Sequence, residues 1–167
     1  AKQDSSPMIL FVGQIGINMK GREAFQEIDY ETAFKDVAKW TVEINDVDRI
    51  PEIISRAWFN AISGRPGPVV VALPENILTQ ESSAAALTKA IFVEKAVPSR
   101  ASIYNVERLL SECNRPLIII GGSTWDEPGQ DALKDFAETS RIPVIAAFRY
   151  QDQFDNFSNA FCGEAGV

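Results

Sequence analysis

The sequence predicts an α/β protein: parts of two doubly wound parallel-sheet domains joined by a linker. Three observations predict it. Val69-Val70-Val71-Ala72-Leu73 is an unbroken apolar run, rich in β-branched valine. A strand exposed on one face alternates apolar and polar residues; this one does not, so it reads as a strand covered on both faces, the habit of parallel sheets between helices. Met8–Val12, Leu117–Ile120 and Pro143–Phe148 have the same texture, with helix-spaced segments between them. Residues 80–101, by contrast, are small, polar and without a stripe, which separates residues 1–79 from residues 102–167.

Each element can be justified in order. Pro7 opens the first strand, and Gln14–Gly21 is a loop by its glycines and Asn18. Residues 22–29 read as loop. Tyr30, Phe34, Val37 and Ala38 recur at helical spacing, giving a short helix over 30–38. Trp40, Val42 and Ile44 alternate with Thr41 and Glu43, giving a strand near a sheet edge. Asp46 or Asp48 caps the next helix. Its stripe is Ile50, Ile53, Ile54, Ala57, Trp58 and Ala61, and Gly64 stops it. Ser63–Gly67 carries two glycines and a proline in five residues, a tight turn before the valine strand, which Pro74 ends.

In the second part Ile103, Val106, Leu109, Leu110 and Cys113 mark a helix that Asn114-Arg115-Pro116 ends, with Cys113 as a small core residue. Leu117–Ile120 is a buried strand closing on Gly121-Gly122-Ser123. Pro128-Gly129 reads as a breaker before a helix carrying Ala132, Leu133, Phe136 and Ala137. Pro143–Phe148 is the fourth buried strand, followed by a polar and aromatic loop. No closing element is expected after Gly163-Glu164-Ala165-Gly166.

The totals exclude several function classes. The 167 residues are 46% hydrophobic and 23% charged, with net charge −7, the balance of a soluble globular protein. An acidic chain without a basic cluster is a poor nucleic-acid binder. No apolar run is long enough to cross a bilayer, and no signal peptide is visible, so a cytoplasmic location without membrane attachment is expected. The first residue is not Met, so the start is processed or the chain is a piece of something longer. There is no histidine, which removes Ser-His-Asp and Cys-His catalysis, and neither cysteine has metal-ligand spacing.

Four groups of residues could carry chemistry, and each has a bland alternative. Gly121-Gly122-Ser123, between a strand and a helix, could offer backbone amides to a nucleotide phosphate, but a Gly-Gly pair is more often a tight turn. Gln14 and Gln26, with Phe25 between them, follow a buried strand, where open α/β sheets place ligand contacts; as isolated loop residues the two amides read as solvated. Glu23, Glu27, Asp29 and Glu31 form an acidic cluster that reads as solvated surface. Arg149 with Asp152 and Asp155 reads as a salt-bridged loop ahead of an anion contact.

Taken in order, Gly13-Gln14, Ala24-Phe25-Gln26-Glu27, Lys39-Trp40, Ile50-Pro51-Glu52, Ser63–Val69 and Leu73-Pro74 resemble the acetolactate synthase group of thiamine-diphosphate enzymes. Asn114-Arg115-Pro116, Gly121-Gly122-Ser123, Phe148-Arg149, Gln151-Asp152 and Phe154-Asp155-Asn156 look like the start of that group's central domain. The resemblance implies that residues 1–79 are the later part of a pyrimidine-binding domain and residues 102–167 the earlier part of a central domain. It implies thiamine diphosphate and magnesium in the parent enzyme, a 2-keto acid substrate, and a dimer or tetramer. Phe25 and Gln26 would face coenzyme and substrate with Gln14 close by. Gly121, Gly122 and Ser123 would lie near FAD or ADP in members that hold one. The group's activating glutamate lies upstream of the first matching residue, and its Gly-Asp-Gly metal motif does not occur here, so no complete catalytic set and no metal ligand is expected. The expectation is therefore a fragment of a 2-keto acid decarboxylase or carboligase, inactive alone. The alternative is a non-catalytic FAD- or ADP-binding or interaction module on the same scaffold.

Overall fold

A computed structural model describes residues 1–89, 91–122 and 124–166. The chain divides into two compact units, Ala1–Glu94 and Lys95–Val167.

The first unit runs β1 (Met8–Gln14), α1 (Tyr30–Phe34), β2 (Trp40–Glu43), α2 (Ile50–Ile62), β3 (Pro68–Pro74) and α3 (Glu75–Leu78). Its sheet has the order β1-β3-β2, with both neighbours parallel to β3. The valine strand is thus central, and Val69 through Ala72 are buried whichever way their side chains point. Val69 and Val71 pack with Ile53, Ala57 and Ala61 of α2. On the other face Val70 and Leu10 border a cleft with Phe34, Val37 and Ala38. Burying one such side chain is worth about 1.5–3 kcal/mol, so this strand anchors the unit. β2 is an edge strand, as its alternation predicts.

Three local expectations change. The helix after the first loop covers residues 30–34 rather than 30–38. Its cap is Asp29, whose carboxylate accepts from the Thr32 backbone N–H; a single turn has few internal bonds to extend it. Asp46 caps a 3₁₀ turn at Val47–Arg49 ahead of α2, while Asp48 accepts from Ser82 Oγ and the Ser83 N–H. Within α2 the buried stripe narrows to Ile53, Ala57 and Ala61, leaving Trp58 half exposed. Gly64, just past the Ser63 cap, takes φ +54°, the left-handed turn that glycine accepts without strain.

The second unit runs α4 (Arg100–Glu112), β4 (Ile118–Ile120), α5 (Glu127–Ser140), β5 (Val144–Ala147) and β6 (Phe161–Ala165). The sheet order is β4-β5-β6, all parallel. Ile120, Val144 and Ala146 form a core with Ala137, Phe154 and Ala160.

Here the sequence misleads in four places. The run Leu117–Ile120 is not covered on both faces: Ile120 is buried, but Leu117 and Ile119 are exposed, because α5 packs on one side only. No residue of α4 is buried, and Cys113 is exposed beyond its end rather than in a core. Pro128-Gly129 is not a breaker ahead of the helix. It is the first turn of α5, where Pro lacks only an N–H that has no helical partner anyway, and Asp126 caps the Gly129 N–H. One strand is not anticipated: β6 pairs with β5, its register shifting between Val144 and Ala146.

Candidate functional site

Because the three strands of the first sheet are parallel, their C-terminal ends share one rim, the edge at which open α/β sheets present ligand-contacting groups. Gln14 ends β1 opposite Pro74, and Glu43 ends β2 opposite Ala72. Beside them lies a cleft of about 420 Å³ bordered by Lys20, Glu27, Asp29, Tyr30, Glu43 and Asn45.

Gln14 is not a solvated loop amide. It is only 5% exposed. Its Nε2 donates to the Ile28 carbonyl at 2.7 Å and to Glu43 Oε2 at 3.3 Å, and its Oε1 accepts from the Ile15 N–H at 3.0 Å. Both amide hydrogens are spent on the protein. Glu43 also accepts from Lys20 Nζ at 2.8 and 2.9 Å, and its side chain is 13% exposed against 39% for Lys20.

The 15–29 loop is fastened at several points. The Ile17 N–H donates to Asn76 Oδ1 at 2.8 Å, and Tyr30 Oη donates to the Gly13 carbonyl at 2.9 Å. Two members of the acidic cluster serve the loop itself. Glu27 accepts from the Gly21 and Ala24 N–H groups, and these bonds, Gly21 foremost, hold its carboxyl below the usual glutamate range. Asp29 is likewise lowered, chiefly by the Thr32 hydroxyl. At the tip, Phe25 is 89% exposed and Gln26 takes φ +69°. An apolar ring in water and a non-glycine residue in the left-handed region both run against intrinsic preference. Gln14, Phe25 and Gln26 therefore belong to one rim and the loop that leaves it.

In the second unit, Gly121 and Gly122 lie beyond β4; Ser123 is outside the described residues. Gly122 has φ +88°, and the Gly121 carbonyl accepts from Trp125 Nε1 at 3.0 Å. The N-terminus of α5 already holds a carboxylate: Asp126 accepts from Gly129 and from Lys95 Nζ, and Lys95 above all holds Asp126 below its ordinary value. Glu127 follows it. The Asp126–Lys95 pair and Glu127 thus stand at this helix end. Asp155 is paired with Lys134 at 2.6 Å rather than reserved for Arg149, whose guanidinium lies 4.9 Å from the Phe148 ring centre.

Sequence reasoning missed Glu43 and Lys20. A signal was present: Glu43 is the one charged residue in β2 and stands at the C-terminal end of that strand, where the rim rule would have flagged it. Among the described residues no cluster of three or more His, Cys, Asp or Glu could hold a metal ion. No described helix is long and apolar enough to cross a membrane.

Comparison with known proteins finds relatives for this chain. Residues 103–167 match the model for the central domain of thiamine pyrophosphate enzymes. The chain is 31% identical over 170 residues to the mitochondrial acetolactate synthase catalytic subunit of Aspergillus candidus, covering 91% of this chain and 24% of that protein. It is 34% identical over 148 residues to the chloroplastic acetolactate synthase of Arabidopsis thaliana, covering 86% of this chain and 22% of that one. It is 32% identical over 146 residues to the glyoxylate carboligase of Escherichia coli O157:H7, covering 87% of this chain and 25% of that one. The chain thus spans about a quarter of the length of the curated relatives it matches. In fold it is similar to a thiamine diphosphate-dependent 4-hydroxybenzoylformate decarboxylase of Rhodococcus jostii RHA1, with a TM-score of 0.84 and 23% identity over 96% of this chain and 31% of that one. Parallel α/β sheets and these likenesses agree: residues 103–167 match the central domain of thiamine pyrophosphate enzymes, and the chain as a whole resembles the acetolactate synthases.

Proposed function

We propose that the chain forms part of a thiamine-diphosphate-dependent 2-keto acid decarboxylase or carboligase, with the rim of the first sheet as its contribution to the coenzyme and substrate region. The observation that carries this is the braced loop between β1 and α1, which offers Phe25 and Gln26 at its tip. When bound, the coenzyme supplies the stabilised carbanion that 2-keto acid chemistry needs. This chain's own part is to present an apolar ring and an amide at a fixed place. Gln14 acts from beneath as a support, since both of its amide hydrogens are already engaged. Magnesium, FAD and a homo-oligomeric, cytoplasmic parent remain part of the same proposal, carried by the family resemblance rather than by any residue set here. The alternative of a free-standing nucleotide-binding or interaction module is not favoured, because the likeness to acetolactate synthases runs along the whole chain.

The test is a thermal-shift titration of the 167-residue chain with thiamine diphosphate and Mg²⁺, beside the Gln26→Ala variant in an enzyme that contains this sequence. No shift is expected for the chain alone, and altered turnover or acceptor preference is expected for the variant. Unchanged turnover and preference would remove Gln26 from the site.

A further inference from the structure

We propose that Glu43 is a positioning residue: it holds Lys20 and Gln14 together, and through them both ends of the loop that presents Phe25 and Gln26. What the loop is presented to rests on the reading above; the brace itself does not.

The argument starts from burial. A glutamate at the end of an edge strand is expected to point into water, yet this side chain is 13% exposed. A carboxylate withdrawn from water needs compensating donors, and Glu43 has two from different places. Lys20 reaches both of its oxygens from the middle of the loop, and Gln14 donates from the strand end where the loop begins. Gln14 in turn donates to Ile28, where the loop ends. One carboxylate thereby ties residues 14, 20 and 28, three points along a 15-residue excursion, to the rim of the sheet. The segment between Lys20 and Ile28 carries its own tie, Glu27 to Gly21 and Ala24. These ties restrain the loop backbone on both sides of Phe25 and Gln26. Preorganised presentation of this kind lowers the ordering cost when a ligand arrives.

The experiment is amide hydrogen exchange on the 167-residue chain without coenzyme, comparing wild type with Glu43→Gln, Lys20→Met and the reversed pair Lys20→Glu/Glu43→Lys. Both single variants are expected to exchange about tenfold faster at residues 21–27, with Val69–Leu73 unchanged. The reversed pair restores the ion pair but not the Gln14 bond, because lysine has no acceptor, so it is expected to recover only part of the loss. Lys20→Met alters a partly exposed residue and keeps the test valid should Glu43→Gln fold poorly. Unchanged loop exchange in the single variants, a reversed pair as fast as the singles, or equal acceleration in β3 would each overturn the proposal. Because no coenzyme is present, its failure is distinct from failure of the functional reading.

Discussion

Lys39, just ahead of β2, donates through Nζ to the carbonyl oxygens of Asn60 and Ser63 at the end of α2. The last carbonyls of a helix have no internal partner, and the negative end of its dipole faces them. A cation from a neighbouring segment satisfies both needs and ties α2 to the start of the edge strand. Lys39→Met should lower the thermal midpoint by about 2–4 °C. Calorimetry showing no change would mean that solvent serves these carbonyls equally well.

The stripe of α2 can be divided by substitution. Ile53 is buried against Val69 and Val71, whereas Trp58 is 52% exposed. Ile53→Ala should cost about 2–5 kcal/mol in a denaturant titration, the range for a buried aliphatic truncation. Trp58→Ala should cost far less, although the sequence pattern places both on one stripe.

The 15–29 loop should respond to acid. Glu27 accepts from Gly21 and Ala24, and its carboxyl is lowered from the ordinary 4.5. A depressed folded-state value means that stability is present above the unfolded value and lost as pH falls through the folded one. The loop should therefore hold at neutral pH and loosen only below about pH 4.5. The Gly21 amide resonance should titrate with a midpoint under 4.5, and Glu27→Gln should abolish that titration.

Gly122 takes φ +88°, and an added Cβ there would meet nothing within 4 Å. Its requirement is conformational rather than steric. Gly122→Ala should destabilise the second unit by about 1 kcal/mol. Gly13, with the same open space and no positive φ, should tolerate alanine better.

The central strand was the most legible part of the sequence. Val69–Leu73 needs cover on both faces, and the structure provides it, so pattern and packing coincide. Leu117–Ile120 carries the same pattern but receives a helix on one face only, and no sequence pattern records how many layers arrive. β6 is hard to read because Gly163 (φ +100°) and Glu164 interrupt its apolar residues, although burial alternates along the strand. Pro128 was misread for a related reason: proline breaks a helix from inside but opens one at its first turn. At the candidate site, the position of Gln14 at the end of a buried strand was legible. Its inward bonds were not, since its partners Ile28 and Glu43 lie 14 and 29 residues away.

Ile119, wet on one side while Ile120 beside it is dry, has a consequence for how the molecule comes apart. Strands roofed on a single side have less interior to lose than β3, and their amides have shorter routes to water. On warming, the C-terminal sheet should let go first, with the valine strand still protected, and two melting steps should separate as the temperature rises.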